Sequence, residues 1–132
     1  MKRLYFILLC FFAVILQTSG KAQADTAVYN KLISIDFKEY KNKSVQSFFE
    51  AAGYNYLKYI PVCKKPGYIS YLIFRYNDSV SVDIAVKDLG QKEPLNDYKI
   101  NINEFKGKKI NWICLRYGGR CIKGCEHEYC GE

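Results

Sequence analysis

The residues with the most chemistry to offer in this chain are its cysteines. Of the six, Cys63, Cys114, Cys121, Cys125 and Cys130 fall in the body of the sequence, and Cys10 falls in an apolar leader. In an oxidising compartment such thiols pair by default, and five of them leave one over. Cys114 stands in an apolar, strand-like run, where a thiol behaves as a small hydrophobe. It is the candidate free thiol. Cys63, Cys121, Cys125 and Cys130 are the disulfide candidates. The tail from Gly118 to Glu132 has little apolar content to fix it, so at least one tail cysteine is expected to bond Cys63. Closing so long a loop would contribute about 3–5 kcal/mol through unfolded-state entropy.

The same tail supports a second chemistry. Cys121, Cys125, His127 and Cys130 supply four soft or borderline ligands, the number a tetrahedral zinc takes. Their spacing lacks the tight Cys-x-x-Cys pair of zinc knuckles, so metal binding is the alternative reading. Covalent haem needs a histidine directly after the second cysteine, and Glu126 stands there. His127 is the only histidine and the only imidazole base for a cysteine nucleophile. No phosphate-binding loop, dinucleotide-binding glycine pattern or serine-hydrolase order occurs in the sequence. No catalytic set, and hence no enzyme and no cofactor, is expected.

The compartment is read from the N-terminus. Lys2 and Arg3 precede an uncharged, almost wholly apolar run from Leu4 to Leu16, and a polar stretch ends Ala22-Gln23-Ala24. This is the order of a cleavable signal peptide spanning residues 1–24, cut after Ala24, with Gly20 as a second position. The run falls short of the roughly 20 apolar residues that cross a bilayer. Residues 25–132 are therefore expected as one exported domain, periplasmic or secreted, without a stable membrane anchor. Lys2, Arg3 and Lys21 leave with the leader and no acid does, so the formal charge of +7 falls by three. The remainder is too mildly basic for a nucleic-acid partner. The densest cluster, Lys106, Lys108 and Lys109, reads as a solvated loop face.

The positioning elements follow from periodicity. Ile33, Ile35 and Phe37 alternate with Ser34 and Asp36, which predicts a strand over Lys31–Phe37. Ser44 is placed to cap a helix whose Val45, Phe48, Phe49 and Ala52 share one face and which stops at Gly53. Strands are expected over Asn55–Val62 and Tyr68–Tyr76, with a turn at Cys63–Gly67 between them. Asn77-Asp78 is read as a two-residue hairpin turn. In Ser79–Lys87, Val80, Val82, Ile84 and Val86 face a core, and Ser79, Ser81, Asp83 and Lys87 face water. One helical turn at Asn103–Gly107 precedes a last strand, Lys109–Tyr117. The fold class is α+β: an antiparallel sheet of about four to five strands with one short amphipathic helix on one face.

Lys43-Ser44-Val45-Gln46-Ser47-Phe48-Phe49, Pro61-Val62-Cys63-Lys64-Lys65-Pro66-Gly67 and the strand end Phe74-Arg75-Tyr76 carry a family look. The stretch Lys43 to Val86 resembles small exported proteins of unknown function from Bacteroidota. The resemblance implies an exported α+β domain and supplies no activity or catalytic residue. A helix followed by antiparallel strands is also similar to modules of the β-lactamase-inhibitor type, at the level of fold alone. The expectation is a non-enzymatic binding or accessory module, using the wet face or an edge of its sheet toward a protein or ligand outside the cytoplasm. The alternative is a metal-binding or thiol-active protein built on the tail.

Overall fold

The computed structural model describes residues 23–124. Most of the signal segment, and Cys125, His127 and Cys130, lie outside the described residues. Helix α1 (residues 23–34) leads into a 3-10 turn, Phe37–Tyr40, and then helix α2, Val45–Ala52. Strands β1 (Lys58–Lys65), β2 (Tyr68–Arg75) and β3 (Val80–Val86) follow. Helix α3 (Ile102–Gly107) sits in the connection to β4 (Ile110–Tyr117), and β5 (Arg120–Lys123) completes the sheet. The five strands lie in sequence order, each antiparallel to the next. The α+β class and the antiparallel sheet are as expected.

Helix α2 forms for local reasons. Ser44 Oγ accepts from the Ser47 amide at 3.1 Å, which satisfies one of the free donors of the first turn. Val45, Phe48, Phe49 and Ala52 are buried along one face. Gly53 ends it at φ 92°, in the left-handed region, its amide donating to the Phe49 carbonyl at 2.7 Å. An eight-residue helix is not stable alone. The Phe49 ring packs edge-on to Phe74 of β2 at 4.8 Å, and Phe48 meets Phe37 at 5.4 Å.

The expected strand over Lys31–Phe37 is replaced by the end of α1 and the 3-10 turn. The same residues carry a second period: Val28, Leu32 and Ile35 fall at i, i+4 and i+7, and Leu32 is fully buried. Helical burial seats Leu32 in the core, with Val28 and Ile35 packed against it, without needing a strand partner. Lys123 Nζ donates to the Ile33 carbonyl at 2.7 Å, closing one of the acceptors that a helix C-terminus leaves open. Asp36 then caps the 3-10 turn by accepting from the Lys38 amide. The helical turn expected at Asn103–Gly107 is present as α3, so α1 is the one helix beyond expectation; α1, α2 and α3 all contribute to the core through Leu32, Phe48, Phe49 and Phe105.

The first strand and the β2–β3 connection also differ from expectation. β1 starts at Lys58 and runs through Cys63 to Lys65, so Cys63 is a strand residue, not a turn residue. Pro61 sits inside it, which an edge strand tolerates because one row of amides has no ladder partner. The β2–β3 connection is not a two-residue turn with positive φ. Neither Asn77 nor Asp78 adopts positive φ. Instead Asn77 Oδ1 accepts from the Ser79 amide at 2.9 Å and the Val80 amide at 2.7 Å, an Asx turn over a longer loop. The glycine pair behaves differently: Gly118 and Gly119, at φ 56° and 82°, make the tight turn that starts β5.

The described helices pack on one face of the sheet. That face carries Leu72 and Phe74 of β2, Val80, Val82 and Ile84 of β3, and Ile113 and Leu115 of β4, all buried in one cluster.

Candidate functional site: the sheet face opposite the helices

The period of two sends every other residue of each strand away from the helices. Register then assembles those side chains into rows. Ile60, Ile73, Asp83 and Cys114 stand side by side across β1 to β4. The next row is Lys58, Arg75, Ser81, Arg116 and Cys121. On the other side lie Val62 paired with Tyr71, and Ala85 paired with Trp112. Ala85 and Cys114 are buried yet stand outside the helix-side core cluster, and no described helix covers this face.

Two relationships organise the face. The Tyr71 and Trp112 rings meet at 5.1 Å, tilted by 56°, in the range where aromatic pairs attract beyond area burial. Ala85, cross-strand partner of Trp112, is small enough to leave room for the two rings. The second is an ion pair between strands: Arg116 Nε donates to Asp83 Oδ2 at 2.5 Å, and its Nη1 donates to the Gly119 carbonyl at 2.9 Å. The Asp83 side chain is fully buried and Arg116 is 29% exposed. Asp83 Oδ1 is buried with no hydrogen-bond partner among the described residues.

Electrostatics follow from that burial. Burial pushes the Asp83 carboxyl above its ordinary value, against the lowering influence of the Arg116 hydrogen bond and charge. The Tyr71 phenol is raised by burial and by the Asp83 charge. The Cys114 thiol is raised by burial first, and then by its contact with the Cys121 thiol. Arg116 is raised by its bond to Asp83. The face holds the Cys114 thiol and the Tyr71 phenol neutral and keeps one charged pair, a set suited to contact and not to proton transfer near neutrality.

The residues singled out in the sequence are scattered. Asp83, assigned to a wet face, is buried. One acid set in the middle of Val80–Val86 and one arginine in Ile110–Tyr117 were the available signal, since charges in central strands require partners. Cys114 is buried as expected, but it is not the isolated thiol of the sequence reading, because Cys121 stands diagonally across from it on β5. Cys63 faces the helix side at the β1 edge, and Cys121 lies on β5, the opposite edge. Four strand spacings of about 4.8 Å separate those edges, whereas a disulfide needs Cα atoms within about 7 Å. A Cys63–Cys121 bond is therefore out of reach. The partners Cys125 and Cys130, and with them the metal alternative that also uses His127, lie outside the described residues. Among the described residues no group of three or more His, Cys, Asp or Glu side chains is placed to hold a metal.

The lysine cluster is split: Lys106 Nζ lies over the Tyr54 ring at 5.0 Å, while Lys108 pairs with Glu104 at 3.4 Å. Asn42 and Asn77 each begin an Asn-x-Ser triplet; Asn42 is exposed, whereas the Asn77 amide nitrogen is buried with no hydrogen-bond partner among the described residues. No helix among the described residues is long and apolar enough to cross a membrane. Comparison with protein-family models, curated proteins and solved structures finds no match for this chain.

Proposed function

We propose that this chain is an exported, non-enzymatic binding module whose contact surface is the sheet face opposite the described helices. The observation that carries the reading is the Tyr71–Trp112 pair, half-buried on a face that no described helix covers. Ile60, Val62 and Ile73 extend it as a half-buried apolar strip, and Lys58 and Arg75 border it on one side. Aromatic anchors with a charged rim are the composition of interface centres. The bordering cations favour a partner that presents an apolar contact flanked by acidic groups. Export rests on the leader of residues 1–24 and its Ala22-Gln23-Ala24 end.

The test compares capture by three forms of the full chain. Crosslinking outside the cytoplasm is run with the wild type, with Tyr71→Ser/Trp112→Ser, and with Lys92→Glu on an exposed loop as the control. A partner captured by the wild type and the control but lost in the double variant supports the reading. Equal capture by all three sinks this face as the contact surface. A mass still containing residues 1–24 in the recovered protein would remove the export half.

A further inference from the structure

We propose that Cys114 and Cys121 are a paired dithiol that closes to a cross-strand disulfide on the sheet face opposite the described helices, by exchange with a small-molecule disulfide. The geometry comes from register. Cys121 is the direct partner of Arg116, and Cys114 lies two residues before Arg116 on the same face of β4. The two thiols are thus diagonal neighbours across one strand boundary. Both are free in the structure.

Diagonal Cα atoms on adjacent strands lie about 7–8 Å apart, slightly beyond the reach of a relaxed disulfide. The local structure supplies the missing approach. β5 is a four-residue edge strand, and its ladder with β4 is irregular at Leu115/Arg116, where an extra residue increases the twist. Shifting such a strand by an ångström breaks few hydrogen bonds. Gly124 anchors its end: a Cβ there would lie 2.6 Å from the Phe37 ring and 2.7 Å from the Ile113 carbonyl. The pivot therefore lies within β5 itself.

The two thiols divide the exchange between them. Cys121 is half-buried and within reach of a soluble oxidant, whereas Cys114 is fully buried. The Cys121 sulfur attacks one sulfur of the oxidant RSSR, forming a mixed disulfide and releasing one RSH. Cys114 then attacks the Cys121 sulfur and expels the second RSH. Two thiols are oxidised, one disulfide is reduced to two thiols, and the two protons leave on the released RSH molecules. The inference draws on the export reading for its oxidant, and on nothing in the binding reading.

The experiment treats the folded full chain with oxidised glutathione, blocks remaining thiols by alkylation in denaturant, and maps tryptic peptides. Cleavage after Lys109, Arg116, Arg120 and Lys123 isolates Ile110–Arg116 from Cys121–Lys123. The expected result is those two peptides joined, lighter by two hydrogens than their reduced sum. Alkylation at both positions should be lost together. In Cys121→Ser, Cys114 should remain fully alkylatable after the same treatment. Cys121 joined instead to Cys63 or to the peptide after Lys123, or both thiols still alkylated at saturating oxidant, overturns the proposal. Protein recovered directly from cells adds a separate arm. A bond that forms in the tube but is absent in the cell counts against export and leaves the pairing standing.

Discussion

Arg116 reaches across the β3–β4 boundary to Asp83, bonding its neighbour on the diagonal and not Ser81, the residue directly opposite. Asp83 in turn lies beside Ile73 and Cys114. A carboxylate amid such neighbours is tolerated only because a guanidinium is held over it, and that guanidinium is itself held by the Gly119 carbonyl. The tight glycine turn before β5 therefore orients the cation that keeps a charge in the centre of the sheet.

Removing that cation should be costly and pH-dependent. Arg116→Met leaves Asp83 unpaired, and the expected loss near neutrality is about 3 kcal/mol, the low end for a broken buried pair because Arg116 is partly exposed. The folded-state pKa of Asp83 is already raised, and without Arg116 it rises further. A raised value stabilises the fold below the ordinary carboxylate range, and this contribution is lost as the pH climbs through the folded value. The variant should thus approach wild-type stability as the pH falls. Urea titrations from about pH 4 to pH 8 measure this, and a deficit independent of pH would contradict the assignment.

Phe49 joins α2 to the sheet, touching Phe48, Tyr54, Tyr56 and Phe74. Phe49→Ala should cost about 3–5 kcal/mol and release α2, which has no independent stability. Ser44→Ala, by contrast, removes one cap and should cost about 1 kcal/mol. Denaturation midpoints and helical circular dichroism separate the two effects. Similar losses in both variants would argue against a packing-dominated helix.

These two residues also show what the sequence made legible. The Ser44 cap, the Phe48–Phe49 face and the Gly53 stop are encoded within ten consecutive residues, so they can be read without knowing the fold. Ile33, Ile35 and Phe37 follow a strand period, while Val28, Leu32 and Ile35 in the overlapping stretch follow a helix period, and the full burial of Leu32 shows which of the two the fold uses. The core face of β3 was readable from Val80, Val82 and Ile84, but its opposite face was not. Whether Asp83 meets water depends on Arg116, placed by a register that spans a long connection with α3 in it. The meeting of Cys114 with Cys121 depends equally on the Gly118-Gly119 turn folding the start of the tail back as a strand.

Gly67 makes a test of the β3–β4 connection. It sits at φ 80°, and a Cβ there would come within 2.4 Å of the Pro94 side chain. Its carbonyl accepts from the Leu95 amide at 2.8 Å and from the Gln91 side chain, whose Oε1 accepts from the Ile69 amide. Gly67→Ala adds left-handed strain of about 1–2 kcal/mol to that clash. Faster amide hydrogen exchange is expected at Leu95 and Ile69. Unchanged protection at both would show that the loop does not depend on this contact.

The aromatic pair on the face opposite the described helices should be separable from the core in the same measurements. Tyr71 and Trp112 face away from the helices, so their removal leaves the Phe49–Phe74 cluster intact. In a double-mutant cycle of Tyr71→Ala and Trp112→Ala, the coupling should be about 0.5–1.5 kcal/mol, the worth of one aromatic contact. The single variants should lose less than Phe49→Ala, because both rings are already half in water. A coupling near zero would mean that the rings are held by other neighbours and not by each other. A loss as large as that of Phe49→Ala would mean that this face carries the fold, and the case for reserving it for a partner would fail.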